Sequence, residues 1–299
     1  MKNKLNHNRV DRIFDTVNMA CLIMLLIAVL YPLIYVLSCS FSSASTIVSG
    51  KVWLWPVGFT LDGYKAVFNH SLVLSGFRNS FLYAVAGTVF VLFMNIIAAY
   101  PLSRRDFYGR NVFMGLFVFT MFFHGGLIPT YLLMKDLGLI NKWLIMVIPG
   151  ALSAWNVIVM RTYFQNSVPV ELLEAAKMDG CSDIKYLWRI LIPLSKPILA
   201  VMALFSIVGH WNSYFGAMIY LNDTRLYPLQ LVLRSVLVSS QIDSSSMQNI
   251  DVNELTQRLN TSQLLKYSLI IVSSVPVLAI YPFVQKHFVK GMLVGSLKG

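Results

Sequence analysis

The chain has 299 residues, of which 57% are hydrophobic and only 12% are charged. A soluble domain carries roughly 25% charged residues, so composition excludes a soluble protein of this length and places the chain in the membrane class. The net charge of +11 does not indicate nucleic-acid binding, because the basic residues lie at the ends of apolar segments. The three cysteines, Cys21, Cys39 and Cys181, are scattered and fit neither a disulfide framework nor a metal site.

Six apolar segments are long enough to cross a bilayer, which takes about 20 residues. None has Asp, Glu, Lys or Arg in its central part. We therefore expect an all-α polytopic membrane protein, with a segment 1–16 followed by a six-helix transmembrane domain 17–299. The first apolar segment is too long for a signal-peptide core, so we expect it to be retained. The expected spans are 17–40, 79–103, 112–134, 140–161, 196–221 and 266–286.

The distribution of Lys and Arg predicts the orientation of these spans. With the N-terminus inside, 15 of the 24 Lys and Arg residues fall on inside segments and 9 on outside segments, which favours both termini in the cytoplasm. The segment 1–16 and the tail 287–299 are then cytoplasmic. The loops 41–78 and 222–265 are extracellular, with Trp53 and Trp55 at the lipid headgroups. We also expect a mobile loop tip at 243–246 and a short surface helix at 252–264.

A polar segment, 167–193, separates the fourth and fifth spans and lies on the expected cytoplasmic side. Ser167 and Pro169 suit the start of a helix. Glu171 and Glu174 follow near the positive end of that helix. We therefore expect a short helix to begin at this point.

The same segment contains signals for a turn and a second short helix. Gly180 suits a left-handed helix end, and Ser182 can cap a helix over 183–190. The small pair Ala175 and Ala176 permits close approach of another protein. On these signals alone, a helix lying on the lipid surface and a docking element for a partner protein remain equally supported.

The spacing of this segment resembles the EAA signature of permease subunits of bacterial ABC importers. The match runs over Glu174, Ala175, Ala176, Gly180, Ile190, Ile192 and Pro193, where Ile192 replaces the usual Leu. The resemblance implies a type I importer permease fold, in which this coupling element (residues 167–193) docks in a cleft of a separate ATPase subunit. The coupling residues it implies are Glu171, Glu174, Ala175, Ala176, Asp179, Gly180, Ile190 and Pro193.

Further motifs resemble the carbohydrate permeases of that family. The run 211–215 looks like their WN motif, and 227–230 resembles the loop that follows it. The runs 123–131 and 138–141 resemble a subgroup named for lipoproteins or complex polysaccharides, and 291–299 looks like the family's Gly-rich C-terminus. The resemblance implies a multi-pass protein of the bacterial cell membrane that carries an oligosaccharide. The implied partners are a second homologous permease, two ATPase subunits and an extracellular sugar-binding lipoprotein.

Polar groups inside spans are costly and usually face a cavity or another helix. Hydroxyl-binding and aromatic side chains suit a sugar, so we expect some of these groups to line the substrate path, although packing explains them equally well. Gly125 and Gly126, with Pro129, are expected to break the third span rather than to bind substrate. The substrate-path candidates are His124, Asn156, His210, Trp211, Asn212 and Tyr214, with Asn95 and Ser213 as further polar positions.

No catalytic or cofactor motif occurs in the sequence. Without a Walker loop ending in Gly-Lys-Ser/Thr, we expect ATP and Mg to be bound by the partner ATPase, with no cofactor or metal in this chain. An ion-coupled secondary transporter would need ion ligands at mid-membrane or inverted repeats. A membrane enzyme would need acid and base groups clustered at one interface. Neither pattern is visible, and the importer subunit is the favoured interpretation.

Overall fold

A computed structural model describes residues 9–242, 260–280 and 282. All regular elements in this part of the chain are helical, which confirms the all-α class. The predictions for the loop tip 243–246, most of the surface helix 252–264 and the tail 287–299 lie outside the described residues. The chain divides into two units, 1–70 with 236–272 and 71–235 with 273–299.

The helices are numbered in chain order. They are α1 (Arg9–Ser40), α2 (Ala44–Val48), α3 (Asp62–Asn69), α4 (Ser71–Ser103), α5 (Arg110–Phe122), α6 (Leu127–Asp136), α7 (Ala154–Ser167), α8 (Val170–Met178), α9 (Asp183–Tyr186), α10 (Ile192–Leu194), α11 (Lys196–Trp211), α12 (Phe215–Tyr220), α13 (Leu229–Ile242) and α14 (Asn260–Ile280). A π-helical turn, Leu187–Leu191, joins α9 to α10, and 3-10 turns occupy Trp143–Met146 and Thr224–Leu226.

Three helices in the described residues, α1, α4 and α14, are long and apolar enough to cross a membrane singly. The pair α5–α6 meets the same criteria as one span bent by 113°, and the helical stretch Asp183–Leu194 with α11 does so with a bend of 81°. The break between α5 and α6 falls at Gly126. Its φ of 85° is positive and therefore lies outside the range of a right-handed helix. The expected break in the third span is therefore present.

The fourth expected span, 140–161, is not one helix. It starts with the 3-10 turn Trp143–Met146, continues without helix to Ser153, and only then enters α7. Pro149 explains the interruption, because it lacks an N–H and disfavours helical backbone at Ile148. Non-helical backbone at membrane depth is tolerated where it is buried or lines a cavity.

The first unit holds the start of the expected loop 41–78 against the end of α1. Ser38 Oγ donates to Leu54 O at 2.6 Å, and Ser42 Oγ accepts from Val57 N at 3.0 Å. Trp53 and Trp55 are exposed by 69% and 81%, and their place at the lipid headgroups stays a prediction.

The second unit packs α4 against α7 and α11 around one apolar cluster. Val157, Met160 and Ala99 at its centre are fully buried. Leu173 and Ala176 of α8 join the same cluster, so the coupling element is attached to the helices that would cross the membrane. Burial of apolar surface is the main force that fixes this attachment.

Segments predicted to lie on the same side of the membrane contact each other at each end of α4. At one end, Gln165 Nε2 donates to Ser103 O at 3.1 Å, close to the coupling element. At the other end, Asn79 Nδ2 donates to Arg225 O at 2.7 Å. We call these the Glu174 end and the Arg225 end. Which end faces the cytoplasm stays a prediction.

Candidate coupling element and intramembrane cavity

The coupling element contains a helix, a glycine turn and a second helical stretch. Pro169 takes the N-cap position of α8 with φ −58°, whereas Ser167 closes α7 and does not cap α8. Gly180 has φ +71°, and its N–H donates to Lys177 O at 3.0 Å while Cys181 N donates to Ala176 O at 2.9 Å. These paired bonds form a Schellman motif, which requires the left-handed residue that Gly supplies cheaply.

The second helical stretch starts at a capping serine, as the sequence predicted. Ser182 Oγ accepts from Lys185 N at 3.4 Å. The stretch is not a uniform helix to Ile190, because α9 passes into the π-helical turn before α10. Pro193 lies in the first turn of α10, directly after the π-helical turn.

The two alanines of the signature point in opposite directions. Ala176 is 7% exposed and packs in the apolar cluster, whereas Ala175 is exposed. The expectation that both permit approach of another protein is therefore wrong for Ala176, which instead lets α8 lie close to its own chain. Glu171, Glu174 and Ala175 form the outward face, and Asp179 and Gly180 are exposed beside it.

An ion-pair network ties both helices of the element to the loop after α4. Arg104 lies 2.6 Å from Asp106 and 2.6 Å from Asp183, and Lys177 lies 3.1 Å from Asp106. The side chain of Arg104 is only 11% exposed. The hydrogen bond that Arg104 donates to Asp106 holds the pKa of the Asp106 carboxyl well below the usual range.

The sequence analysis did not predict this network. It used Arg104 and Lys177 only as evidence for the orientation of the spans in the membrane. Asp106 is two residues from Arg104, but Asp183 is 79 positions away. One sequence contains no signal that pairs residues at that separation.

A cavity of about 420 Å³ lies within the second unit, among α4, α7, α11, α12 and the non-helical segment before α7. Its polar lining comes from Asn156, Ser206, His210 and Ser213, and Phe205 and Tyr220 contribute aromatic faces. Ser206 Oγ is buried and has no hydrogen-bond partner among the described residues. The lining can thus offer hydroxyl, amide and imidazole groups to a polar ligand.

His210 is held tightly against α4. Its imidazole lies close to the backbone of Met146. A Cβ added at Gly87 would lie 2.5 Å from His210 Cε1 and 2.7 Å from its Cδ2, closer than non-bonded atoms approach. Gly87 is therefore the residue that permits the imidazole to occupy this place.

The other substrate-path candidates do not line this cavity. Trp211 is 3% exposed and donates from Nε1 to Ser273 O at 2.9 Å, so it is a packing residue. Asn212 accepts a hydrogen bond from Gln230 at 3.4 Å outside the cavity. Tyr214, 43% exposed, lies under the guanidinium of Arg234. His124 is exposed in the break between α5 and α6.

Asn95 has a structural role, because its amide joins α4 to the non-helical segment before α7 by hydrogen bonds. It is fully buried, and its Nδ2 donates to Val91 O and Ala151 O at 2.7 Å each. Its Oδ1 accepts from Ser153 N at 3.3 Å. The amide thereby fixes to α4 the non-helical segment that contributes Pro149 and Gly150 to the cavity wall.

Comparison with known proteins gives concordant matches along most of the chain. The family described as "binding-protein-dependent transport system inner membrane component" matches residues 94–294. Protein LplC of Bacillus subtilis (strain 168) is 40% identical over 298 residues, which cover 99% of this chain and 98% of that protein. The polygalacturonan/rhamnogalacturonan transport system permease protein YtcP of the same organism is 40% identical over 290 residues, covering 97% and 99%.

The fold also matches a solved structure. It is described as the crystal structure of a bacterial ABC transporter involved in the import of the acidic polysaccharide alginate. The TM-score is 0.86 at 36% identity, and the match covers 95% of this chain and 100% of that chain.

Proposed function

The chain belongs to the family of binding-protein-dependent transport system inner membrane components and is a permease subunit of an ABC importer, and we propose that it forms half of a path that carries an oligosaccharide into the cell. The names of two similar proteins support a saccharide cargo, since one transports polygalacturonan and rhamnogalacturonan and the other alginate. The cavity supports it chemically, because sugars need hydrogen-bonding groups beside aromatic faces.

The proposed orientation places the Glu174 end in the cytoplasm. Arg104, Arg161 and Lys177 all lie at this end, as the positive-inside rule requires. The N- and C-termini are then cytoplasmic, and the Arg225 end faces the extracellular binding protein.

The coupling element would transmit ATP-driven motion. Its outward face, with Glu171 and Glu174, would dock on an ATPase subunit whose basic groups pair with the carboxylates. Two ATPase subunits would bind ATP and Mg, and a second permease would complete the path. Because Ala176 and the Arg104 network hold the element to α4 and α11, movement of the ATPase would be passed to the walls of the cavity, which gives alternating access.

One observation carries this proposal, namely that the outward face of α8 is exposed while its inner face is fixed in the core of the second unit. A lever needs both a free contact surface and a rigid attachment. A helix that only rests on lipid would need neither the buried Ala176 nor the ion pairs to the α4 end.

Co-purification tests the proposal. The tagged chain is isolated from native membranes, its partners are identified, and ATP hydrolysis is assayed against a panel of oligosaccharides with the binding protein present. We expect a second permease and an ATPase, with hydrolysis stimulated by one sugar. Isolation of the chain alone from an uptake-competent membrane, or uptake that persists after ATP depletion but stops with an uncoupler, would favour a secondary transporter.

A further inference from the structure

A cleft of about 590 Å³ opens at the Glu174 end, next to the outward face of α8, and Glu174 of that face is one of its lining residues. It lies between the loop after α4, the end of α7 and the coupling element. Its lining combines basic and apolar residues with two acidic ones, Asp106 and Glu174. The basic lining residues are Arg104, Arg105, Arg110, Arg161 and Lys177, and the apolar ones include Phe164, Val168, Leu173 and Leu191.

Two of these arginines have no carboxylate partner in the described part of the chain. Arg110 Nη1 donates only to Arg104 O, at 3.4 Å, and Arg161 Nε donates to Leu102 O at 2.9 Å. Both side chains are half-buried, and their charges repel each other. Removing cations from water without a counter-charge is unfavourable. The five basic lining residues outnumber the two acidic ones, and Asp106 is already paired with Arg104 and Lys177, so the cleft is electrostatically suited to an anion.

The surroundings of the two arginines identify the kind of anion. Guanidinium groups bind phosphate oxygens well, in a fork geometry. Arg110 opens α5, whose next turns expose Val112, Phe113 and Leu116. In the proposed orientation the guanidinium therefore lies at the cytoplasmic start of an apolar helix with exposed side chains, which is the depth of phospholipid headgroups. Basic pockets between membrane helices on the cytoplasmic side bind anionic headgroups.

We infer that this cleft binds the phosphodiester headgroup of an anionic phospholipid, with Arg110 and Arg161 contacting the phosphate and the apolar wall receiving the glycerol and upper acyl chain. The inference rests on the proposed function only for the cytoplasmic side. A carboxylate of the ATPase subunit is the competing occupant, but it would not need the apolar wall of Phe164 and Leu173.

Binding here would affect the coupling element directly. Lys177 of α8 and Arg104 line the same cleft and hold the element to the α4 end. An anion between Arg110 and Arg161 would remove their mutual repulsion and stiffen this attachment. The lipid would thus favour a rigid lever.

Lipid binding can be measured without any transport assay, so its failure is distinguishable from failure of the proposed function. The full chain is purified with its partner permease, stripped of lipid in detergent and titrated with short-chain phosphatidylglycerol or phosphatidylcholine. Retained lipid is counted by native mass spectrometry, and the melting temperature is recorded. The variants are Arg110→Gln, Arg110→Lys and, as a matched control outside the cleft, Arg189→Gln, whose side chain is exposed.

We expect phosphatidylglycerol, and not phosphatidylcholine, to bind and to raise the melting temperature. Arg110→Gln should weaken binding about tenfold, the effect of one lost charge-assisted hydrogen bond. Arg110→Lys should retain more binding than Arg110→Gln, and Arg189→Gln should bind as the wild type does.

Three results would overturn the inference. The first is equal binding by Arg110→Gln and Arg189→Gln. The second is stabilisation by inorganic phosphate that matches phosphatidylglycerol at the same concentration, which would indicate a free phosphate ligand. The third is an effect of Arg110→Gln that arises only when the ATPase subunit is present, which would assign the cleft to that protein.

Discussion

Arg104 Nη1 lies 2.6 Å from Asp183 Oδ1, which joins the end of α4 to the second helix of the coupling element. The other terminal nitrogen of the same guanidinium lies 2.6 Å from Asp106 Oδ2. Lys177 of α8 contacts that second carboxylate at 3.1 Å. A single arginine thus organises contacts to both helices on either side of Gly180.

A double-mutant cycle on Arg104→Gln and Asp183→Asn measures this link. We expect a coupling free energy of about 0.5–1 kcal/mol, because pairs with one exposed partner are worth little individually, and Asp183 is 61% exposed. Thermal unfolding in detergent gives the four stabilities. Strictly additive losses would show that the pair does not stabilise the fold.

The Asp106 carboxylate predicts a pH dependence of stability. Its pKa in the folded state is lowered, chiefly by the hydrogen bond from Arg104. A lowered folded-state pKa adds stability above the unfolded value of about 4, and this stability is lost as the pH falls through the folded pKa. We expect Asp106→Asn to cost less than about 1 kcal/mol at neutral pH, because the carboxylate is largely exposed.

Melting temperatures of the wild type and Asp106→Asn, measured across the acid range, test that dependence. The difference between them should shrink steadily as the pH falls below about 4. A difference that stays constant with pH would contradict an ionised Asp106 in the folded protein.

Gly180→Ala separates the backbone role of this residue from its place in the coupling element. Both Gly180 and Gly138 have positive φ, +71° and +65°, and both close a helix with the same pair of hydrogen bonds. Each alanine variant should therefore cost about 1–2 kcal/mol of stability. Only Gly180→Ala should also lower the ratio of transport to ATP hydrolysis.

Gly138→Ala is thus a matched control for that experiment, because it imposes the same backbone strain at the end of α6. Equal losses of transport in the two variants, in proportion to lost stability, would argue against a specific role for the Gly180 turn. Uptake and hydrolysis are measured on the same reconstituted sample.

Gly87→Ala should displace His210 from the cavity wall. The added methyl group would overlap the imidazole, and overpacking of this kind costs about 1–3 kcal/mol. Gly115→Ala is the control, since nothing lies within 4 Å of a Cβ built there. Melting temperature and uptake should fall for Gly87→Ala alone.

Truncating His210 tests whether the overlap with its imidazole causes the loss of stability in Gly87→Ala. The double variant Gly87→Ala with His210→Ala should recover the melting temperature of His210→Ala alone. A loss that persists without the imidazole would place the strain elsewhere in α4.

Local signals in the sequence predicted local structure well. Gly180 and Gly126 interrupt helices where they were expected to, because a positive φ is a property of one residue and its neighbours. The helical class and the carbohydrate-permease family are confirmed by the structure and by 40% identical relatives. The fourth span was predicted as one helix because hydrophobicity alone does not register the break at Pro149.

Non-local packing could not be predicted in the same way. Trp211 was assigned to the substrate path for its aromatic ring, but its Nε1 bonds to Ser273 O, 62 positions away. From the sequence, Asn95 is a polar group whose burial in a span would be costly. In the structure its amide forms hydrogen bonds with the backbone of Ala151 and Ser153. In each case the deciding partner comes from a distant part of the chain.

Uptake of a labelled oligosaccharide by proteoliposomes, with the binding protein outside and ATP inside, tests the coupling role of the EAA face most directly. Glu174→Lys reverses an exposed charge without disturbing the core, and Asp136→Lys makes the same change on the exposed surface of α6. Glu174→Lys should reduce sugar-stimulated hydrolysis and uptake together by more than about tenfold, while Asp136→Lys leaves both unchanged. Wild-type uptake by Glu174→Lys would contradict docking of the ATPase on this face.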